Sequence, residues 1–145
     1  MDIFLQLHSY WAYLTLATLI FTVFNSLIKW LKKVEFNNFD LRIALFTLIF
    51  IHIQFLIGLA WYFMSPAYKH LKEIGMGAAM KDSLTRLLTV EHPLLMILAI
   101  VLISIGFSNH KKKKSDSKRF KTLTIYYGIA LLFILSRIPW EQWFS

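Results

Sequence analysis

Three of the five histidines in this sequence, His8, His52 and His92, lie inside long apolar stretches. A neutral imidazole can ligate a metal ion or the iron of a haem, and it can also relay protons. The chain contains no cysteine, which excludes disulfides, thiolate metal sites and thioether-linked haem. The histidine side chains are therefore the first candidates for a chemical role. The other two histidines, His70 and His110, lie among lysines and are expected to be solvated.

The composition is that of a membrane protein. Of the 145 residues, 57% are hydrophobic and only 17% are charged, and the mean hydropathy is +0.56. So few charges cannot cover a water-facing surface, which excludes an ordinary soluble enzyme and a disordered tail. The charged residues lie between long uncharged runs, and each run is a candidate membrane span.

The uncharged runs predict four transmembrane helices. A hydrocarbon core about 30 Å thick requires about 20 helical residues, and in lipid the backbone must satisfy its own hydrogen bonds. The predicted spans are 4–30, 41–65, 84–108 and 121–140, with an outer loop at 66–83, basic inner loops at 31–40 and 109–120, and a short surface helix at 67–74. Pro93 predicts a kink in the third span. The expected fold is all-α: a single domain, 1–145, forming an integral membrane four-helix up-down bundle.

The positive charge of the chain predicts its orientation. The formal net charge is +8, and eleven of the sixteen lysine and arginine residues fall in or beside the two inner loops. The positive-inside rule assigns these loops to the cytoplasm, so both termini face the outer side. This distribution favours a topology signal, with contact to anionic lipid, over a nucleic-acid-binding or partner-docking patch.

Polar and small residues follow one face of three spans. Residues three, four or seven apart lie on the same side of a helix. The stripes are His8, Thr15, Thr18, Thr22 and Asn25 in the first span, His92, Met96, Ala99, Ile103 and Gly106 in the third, and Tyr126, Ala130 and Arg137 in the fourth. His8 and His92 are the outer ends of their stripes. The small residues of the third stripe leave room for a flat ligand or for a closely packed helix.

The positions of His8 and His92 predict that they act together. The first and third helices of an up-down bundle run in the same direction and lie diagonally opposite. Two imidazoles that project from such helices at one depth could ligate a six-coordinate haem iron. The depths match approximately, since His8 lies about 30 Å from Ile28 and His92 about 22 Å from Phe107 along their helices. The cations near the outer surface that would meet haem propionates are Arg86, Arg137 and Lys81.

Other interpretations of these residues remain open. His52 lies near the middle of the second span and is a secondary candidate ligand, which with the other two histidines could hold copper or zinc, bind a quinone or relay protons. Arg86 with Glu91, and Arg137 with Glu141, could form interfacial salt bridges without any cofactor. The polar stripes could also serve only to pack helices in a non-redox structural or assembly subunit of a membrane complex.

Several segments carry a resemblance to known proteins. They are His8-Ser9, the segment FIHIQFLIGL at 50–59, Met80-Lys81-Asp82 with Arg86, Val90-Glu91-His92-Pro93, and Ile138-Pro139-Trp140. Over nearly its whole length the chain resembles a family of small four-span bacterial membrane proteins labelled cytochrome B. It is more distantly similar to one four-helix half of haem A synthase. There the ligating histidines lie near the outer ends of two alternate helices, the second after a loop that follows a Gln-x-x-x-Gly helix.

The resemblance implies a b-type cytochrome. His8 and His92 match the ligand positions, and His52 matches none. The implied protein binds one haem b near the periplasmic face of the bacterial inner membrane and transfers electrons, with quinol or a larger respiratory complex as partner. Haem A synthase requires two such halves and a carboxylate near its oxidised site. This chain has one half with Glu91 alone, so electron transfer is implied and an enzyme activity is not.

Overall fold

The computed structural model describes residues 2–144, and this part of the chain is helical, with no strand. The helices are α1 (Ile3–Lys32), α2 (Asn38–Met64), α3 (Pro66–Ala79), α4 (Ser83–Arg86), α5 (His92–Lys112), α6 (Asp116–Arg137) and α7 (Trp140–Trp143), and a π-helical segment (Leu87–Glu91) joins α4 to α5. α4, the π-helical segment and α5 form one continuous rod. This rod, α1, α2 and α6 are each long and apolar enough to cross a membrane. The predicted all-α four-helix membrane fold is confirmed.

Capping side chains set the starts of the long helices. Asp2, Asn37 and Ser115 each accept a hydrogen bond from a backbone N–H in the first turn of α1, α2 and α6. Such caps satisfy N–H groups that a helix start leaves free. The cap at Ser115 starts α6 earlier than the sequence predicts, and α5 continues to Lys112. The inner loop predicted at 109–120 is therefore reduced to residues 113–115.

The longest connection between spans contains α3. Ser65 caps this helix by accepting a hydrogen bond from the Tyr68 N–H, so the short helix predicted at 67–74 is present, and Gly75, with a non-helical φ of 81°, kinks the segment after it. α6 ends at Arg137, before the predicted end of the fourth span. Ile138 adopts an extended conformation there because it precedes Pro139, whose ring disfavours a helical residue before it.

The packing order of the rods places α1 and α5 on a diagonal. α1 packs against α2 and α6, and α5 packs against the same two helices. This arrangement is the up-down topology that the sequence predicts. We call the end where α1 begins and α6 ends the histidine end, since it carries His8 and His92. We call the opposite end, with the lysine run at 111–114, the basic end.

Hydrogen bonds join the helices in the interior of the bundle. Thr22 Oγ1 of α1 lies 2.9 Å from Thr47 Oγ1 of α2, and both side chains are fully buried. The hydroxyl of Tyr127 reaches from α6 across the bundle centre and donates to the carbonyl of Ala44 at 2.9 Å. Large apolar side chains point outward instead, as Leu132 does at 66% exposure. Polar groups paired in the interior and large apolar side chains on the outside indicate a lipid environment, because lipid offers polar groups no partner.

The close packing of α5 against α6 depends on Gly106. A Cβ at this position would lie 2.9 Å from Tyr126 Cγ, closer than real side chains approach each other. The absence of a side chain at Gly106 thus lets α6 come near. The sequence left two uses open for the small residues of the third stripe, a flat ligand or a closely packed helix. Gly106 makes room for a closely packed helix.

We expect Gly106→Ala to destabilise the bundle by about 1–3 kcal/mol, the typical cost of overpacking a tight contact. The matched control is Gly128→Ala in α6, where the new Cβ would meet Val23 Cγ1 at an ordinary 4.0 Å. Thermal unfolding in detergent, followed by circular dichroism, measures both variants. Equal midpoints would contradict the role of Gly106.

A buried carboxylate joins α1 to α2 at the basic end. Asp40 is 1% exposed, and its Oδ1 accepts hydrogen bonds from Lys29 Nζ at 2.7 Å and from Asn25 Nδ2 at 2.9 Å. Its Oδ2 accepts from the Asn37 N–H at 3.0 Å, which completes a capping box at the start of α2. A carboxylate is tolerated in such a place only with partners of this kind. Asn25, the inner end of the first polar stripe, therefore hydrogen-bonds to an ion pair that joins two helices.

The variant Asp40→Asn keeps the shape of this side chain and removes its charge. We expect it to lower the free energy of unfolding by about 2 kcal/mol, because Lys29 loses its partner and the capping box is weakened. Asp116→Asn makes the same change in the first turn of α6, where we expect less than about 1 kcal/mol. The same thermal unfolding experiment compares the two, and similar losses would contradict a specific role for Asp40.

Candidate functional site at the paired histidines

The imidazole rings of His8 and His92 meet at the histidine end of the bundle. Their ring centroids are 6.3 Å apart, and the ring planes are inclined by 77°. Counting the helical rise from the basic end matched the depths of the two residues only approximately, with a difference of about 8 Å. The two rings nevertheless face each other from diagonal helices.

The π-helical segment at Leu87–Glu91 leads directly into His92 and Pro93. Proline has no N–H, so the carbonyl four residues before it, that of Thr89, loses its usual helical partner. The hydroxyl of Tyr62 on α2 donates to this carbonyl at 2.9 Å. π-helical turns are rare and are found often at functional sites. The wide turn therefore accommodates Pro93 and sets the direction of His92.

The start of this rod is held by Asp82, which lies just outside the span. Its side chain accepts hydrogen bonds from the hydroxyl and the backbone N–H of Thr85. These bonds hold the pKa of Asp82 below its usual value, because they favour the charged carboxylate. Asp82 is the N-cap of α4, and it begins the helical path to His92.

The His92 ring is oriented by a backbone carbonyl of α6. Its Nδ1 lies 2.8 Å from the carbonyl oxygen of Arg137. A carbonyl can only accept a hydrogen bond, so Nδ1 carries the hydrogen and the lone pair of a neutral ring is on Nε2. Metal-ligating histidines usually show this arrangement, in which the second nitrogen is held by an acceptor.

Gln54 and Gly58 of α2 form the surface on which His8 rests. The two residues are one helical turn apart and so lie on the same face. Gln54 Nε2 donates to the carbonyl oxygen of His8 at 2.8 Å. At Gly58 a Cβ would lie 2.8 Å from Cε1 of the His8 ring, so the ring occupies space that only glycine leaves.

Two atoms at this contact lack a protein partner. Nδ1 of His8 and Oε1 of Gln54 are buried and make no hydrogen bond within residues 2–144. Nearly all buried polar groups in proteins are hydrogen-bonded, so the lack of a partner at these two atoms needs an explanation. A ligand at the histidine pair is one such explanation.

A carboxylate bridges two arginines beside the pair. Glu91 Oε2 accepts from Arg86 Nε at 3.0 Å, and Glu91 Oε1 lies 3.7 Å from Arg137 Nε. Arg86 also donates to the carbonyl of Met80 at 2.8 Å. The salt bridge expected between Arg86 and Glu91 is thus present, whereas Arg137 pairs with Glu91 where Glu141 was expected. Lys81 is exposed near the start of the same rod.

His52 lies apart from this site. Its Nδ1 is 2.7 Å from the carbonyl oxygen of Leu48, and its Nε2 is 3.5 Å from Ser104 Oγ. No group of three or more metal-ligating side chains occurs in the described part of the chain. His70 is exposed as expected. The expectation for His110 is wrong: it is 1% exposed, because α5 continues through the first lysines and carries it into the bundle.

The comparisons with known proteins add nothing to this geometry. No family model, curated protein or solved structure matches the chain.

Chemically, the arrangement is a pair of imidazoles facing each other across the bundle, with a cluster of one carboxylate and two guanidinium groups at its edge. Sequence reasoning found both histidines and both arginines. It did not assign roles to Tyr62 or Gly58. A signal for Tyr62 existed, since Pro93 must free a carbonyl that some donor has to satisfy.

We expect Gly58→Ala to displace the His8 ring, because the added methyl group would overlap Cε1. The ring ¹⁵N resonances of His8 and His92 should then shift in NMR spectra of ¹⁵N-histidine-labelled protein in detergent. Gly77→Ala is the control, since a Cβ there meets nothing within 4 Å. Unchanged His8 resonances in the Gly58 variant would contradict this contact.

Proposed function

We propose that this protein is a b-type cytochrome-like membrane protein that binds one haem b through His8 and His92 and transfers electrons in a respiratory context. The observation that carries the proposal is the 6.3 Å separation of the two ring centroids. His8 and His92 would hold the iron, each through one ring nitrogen, and at this separation one metal ion between the rings would be within reach of both.

The angle between the rings is compatible with the same use. The ring planes are inclined by 77°, so His8 and His92 would hold the group with two differently oriented imidazoles. The chain offers two ligands here. The haem would supply the other iron ligands and the one-electron chemistry. A non-haem metal ion would need further donors, and His52 is engaged with Leu48 and Ser104.

The arginine cluster supports an anionic group at the edge of the site. Arg86 and Arg137 would neutralise the haem propionates, with Lys81 close to the same end. Both guanidinium groups now share Glu91, whose carboxylate holds them at the level of His92. Guanidinium groups pair well with carboxylates because of their planar donor geometry.

The charge of the basic end supports an orientation and a location. The lysine-rich connection at 113–115 and its flanking residues would face the cytoplasm, which places the histidine pair near the periplasmic face of a bacterial inner membrane. One haem near one face exchanges single electrons with partners on that face. Quinol or a larger respiratory complex is a partner of this kind.

An absorption spectrum of the purified protein tests the proposal. We expect a Soret band that shifts on reduction with dithionite, and we expect His8→Ala and His92→Ala each to abolish it. His52→Ala is the matched control and should retain the band, because its ring is hydrogen-bonded to Leu48 and Ser104, away from the histidine pair. Gly58→Ala should lower the haem content without removing a ligand.

A colourless protein that folds and stays colourless when haem is supplied would contradict the proposal. It would favour a non-redox structural or assembly subunit of a membrane complex. One observation speaks for that second function: Thr15, Thr22 and Asn25 of the first stripe are already hydrogen-bonded to α2. Copurification with a larger complex would support it.

A further inference from the structure

A cavity of about 280 Å³ opens at the basic end, far from the paired histidines. It lies where the connection between α1 and α2 meets the end of α5 and the start of α6. Its polar and aromatic lining comes from Phe36, Asn37 and Asn38 on one side and His110, Lys111 and Arg119 on the other. None of these residues belongs to the site proposed for haem.

His110 is the buried polar group of this cavity. The residue is 1% exposed, and its ring packs against Phe36 and Phe107 at centroid distances of 5.6 and 4.8 Å. Its Nδ1 is hydrogen-bonded to the carbonyl oxygen of Phe107, so Nδ1 carries the hydrogen. Its Nε2 is buried and has no hydrogen-bond partner within residues 2–144. A buried polar atom without a partner is costly, which suggests that a ligand supplies one.

The two cations of the cavity are not paired with carboxylates. Within the described chain, no salt bridge includes Lys111 or Arg119. Arg119 is held in place by its Nε, which donates to the carbonyl of Lys113 at 3.0 Å, and by the Phe36 ring, 5.5 Å from its guanidinium carbon. The Nζ of Lys111 lies 5.5 Å from the Phe107 ring centroid. Two positioned cations beside an unpartnered imidazole form a site for an anion that can also hydrogen-bond.

We infer that this cavity binds an anionic phosphate ester that carries a free hydroxyl, with the phosphate between Lys111 and Arg119 and the hydroxyl donating a hydrogen bond to Nε2 of His110. Phosphate is the group that arginine and lysine recognise together most readily. The cavity opens beside the lysine run where α5 ends and α6 begins, and basic pockets at the cytoplasmic ends of membrane helices bind phospholipid headgroups. The same chemistry could be presented by a soluble phosphate ester.

Native mass spectrometry of the full chain in detergent distinguishes these sources. The probes are phosphatidylglycerol, glycerol 3-phosphate and diacylglycerol, which lacks the phosphate. Retention of phosphatidylglycerol alone assigns the site to a lipid headgroup, and retention of glycerol 3-phosphate as well assigns it to the phosphate ester itself. Either result supports the inference. Binding of diacylglycerol as tight as that of phosphatidylglycerol, or no retention of either phosphate ester, overturns it.

A pair of double variants tests the residues. Lys111→Gln with Arg119→Gln should weaken phosphatidylglycerol binding about tenfold, the loss typical of removing charged partners from a phosphate. Lys114→Gln with Lys118→Gln removes the same charge from exposed residues outside the cavity and should leave the affinity within about twofold. Equal weakening in both would mean diffuse surface attraction and would overturn the inference.

A third variant tests the imidazole itself. His110→Phe preserves an aromatic ring and removes Nε2. We expect it to weaken phosphatidylglycerol binding several-fold while leaving the ring ¹⁵N resonances of His8 and His92 unchanged. If this variant does not fold, the double variants still decide the question. Unaltered binding in a folded His110→Phe variant would overturn the part assigned to Nε2.

Discussion

A membrane-embedded bundle must satisfy its polar groups from within, because lipid supplies no hydrogen-bond partner. The interior of this protein follows that constraint closely. Thr22 is paired with Thr47, Tyr127 with the carbonyl of Ala44, and the indole N–H of Trp11 with the carbonyl of Phe50. Even the carbonyl that Pro93 frees receives the hydroxyl of Tyr62. These bonds tie α1, α6 and the rod that contains α5 to α2.

The exceptions to this constraint mark both proposed sites. In the described chain, the buried side-chain atoms without a partner are Nδ1 of His8, Oε1 of Gln54 and Nε2 of His110. Two of them lie at the histidine end and one lies in the cavity at the basic end. Every other buried side-chain nitrogen or oxygen of residues 2–144 has a hydrogen-bond partner. An atom without one therefore indicates a position for a partner from outside the chain.

The two ends of the bundle differ in charge, and this difference suits their proposed ligands. At the histidine end, Arg86 and Arg137 share Glu91, so positive charge is present but partly compensated. At the basic end, Asp40 is paired with Lys29 and Asn25. Within residues 2–144, neither Lys111 nor Arg119 forms a salt bridge with a carboxylate. Both ends therefore keep positive charge, which is partly compensated beside the histidine pair and uncompensated at the cavity.

The sequence by itself determined the class of fold, the four spans and the candidate ligands, because apolar length and helical periodicity are local properties of the chain. It placed His8 and His92 on inward faces of alternate helices. Only the tertiary structure decided that their rings meet, that the Arg137 carbonyl orients His92, and that Gln54 and Gly58 support His8. These contacts join residues far apart in sequence, and no local pattern encodes the rotation of one helix against another. His110 was misplaced for the same reason: lysines favour a helix as well as a loop, and its burial depends on α6 and on the connection after α1.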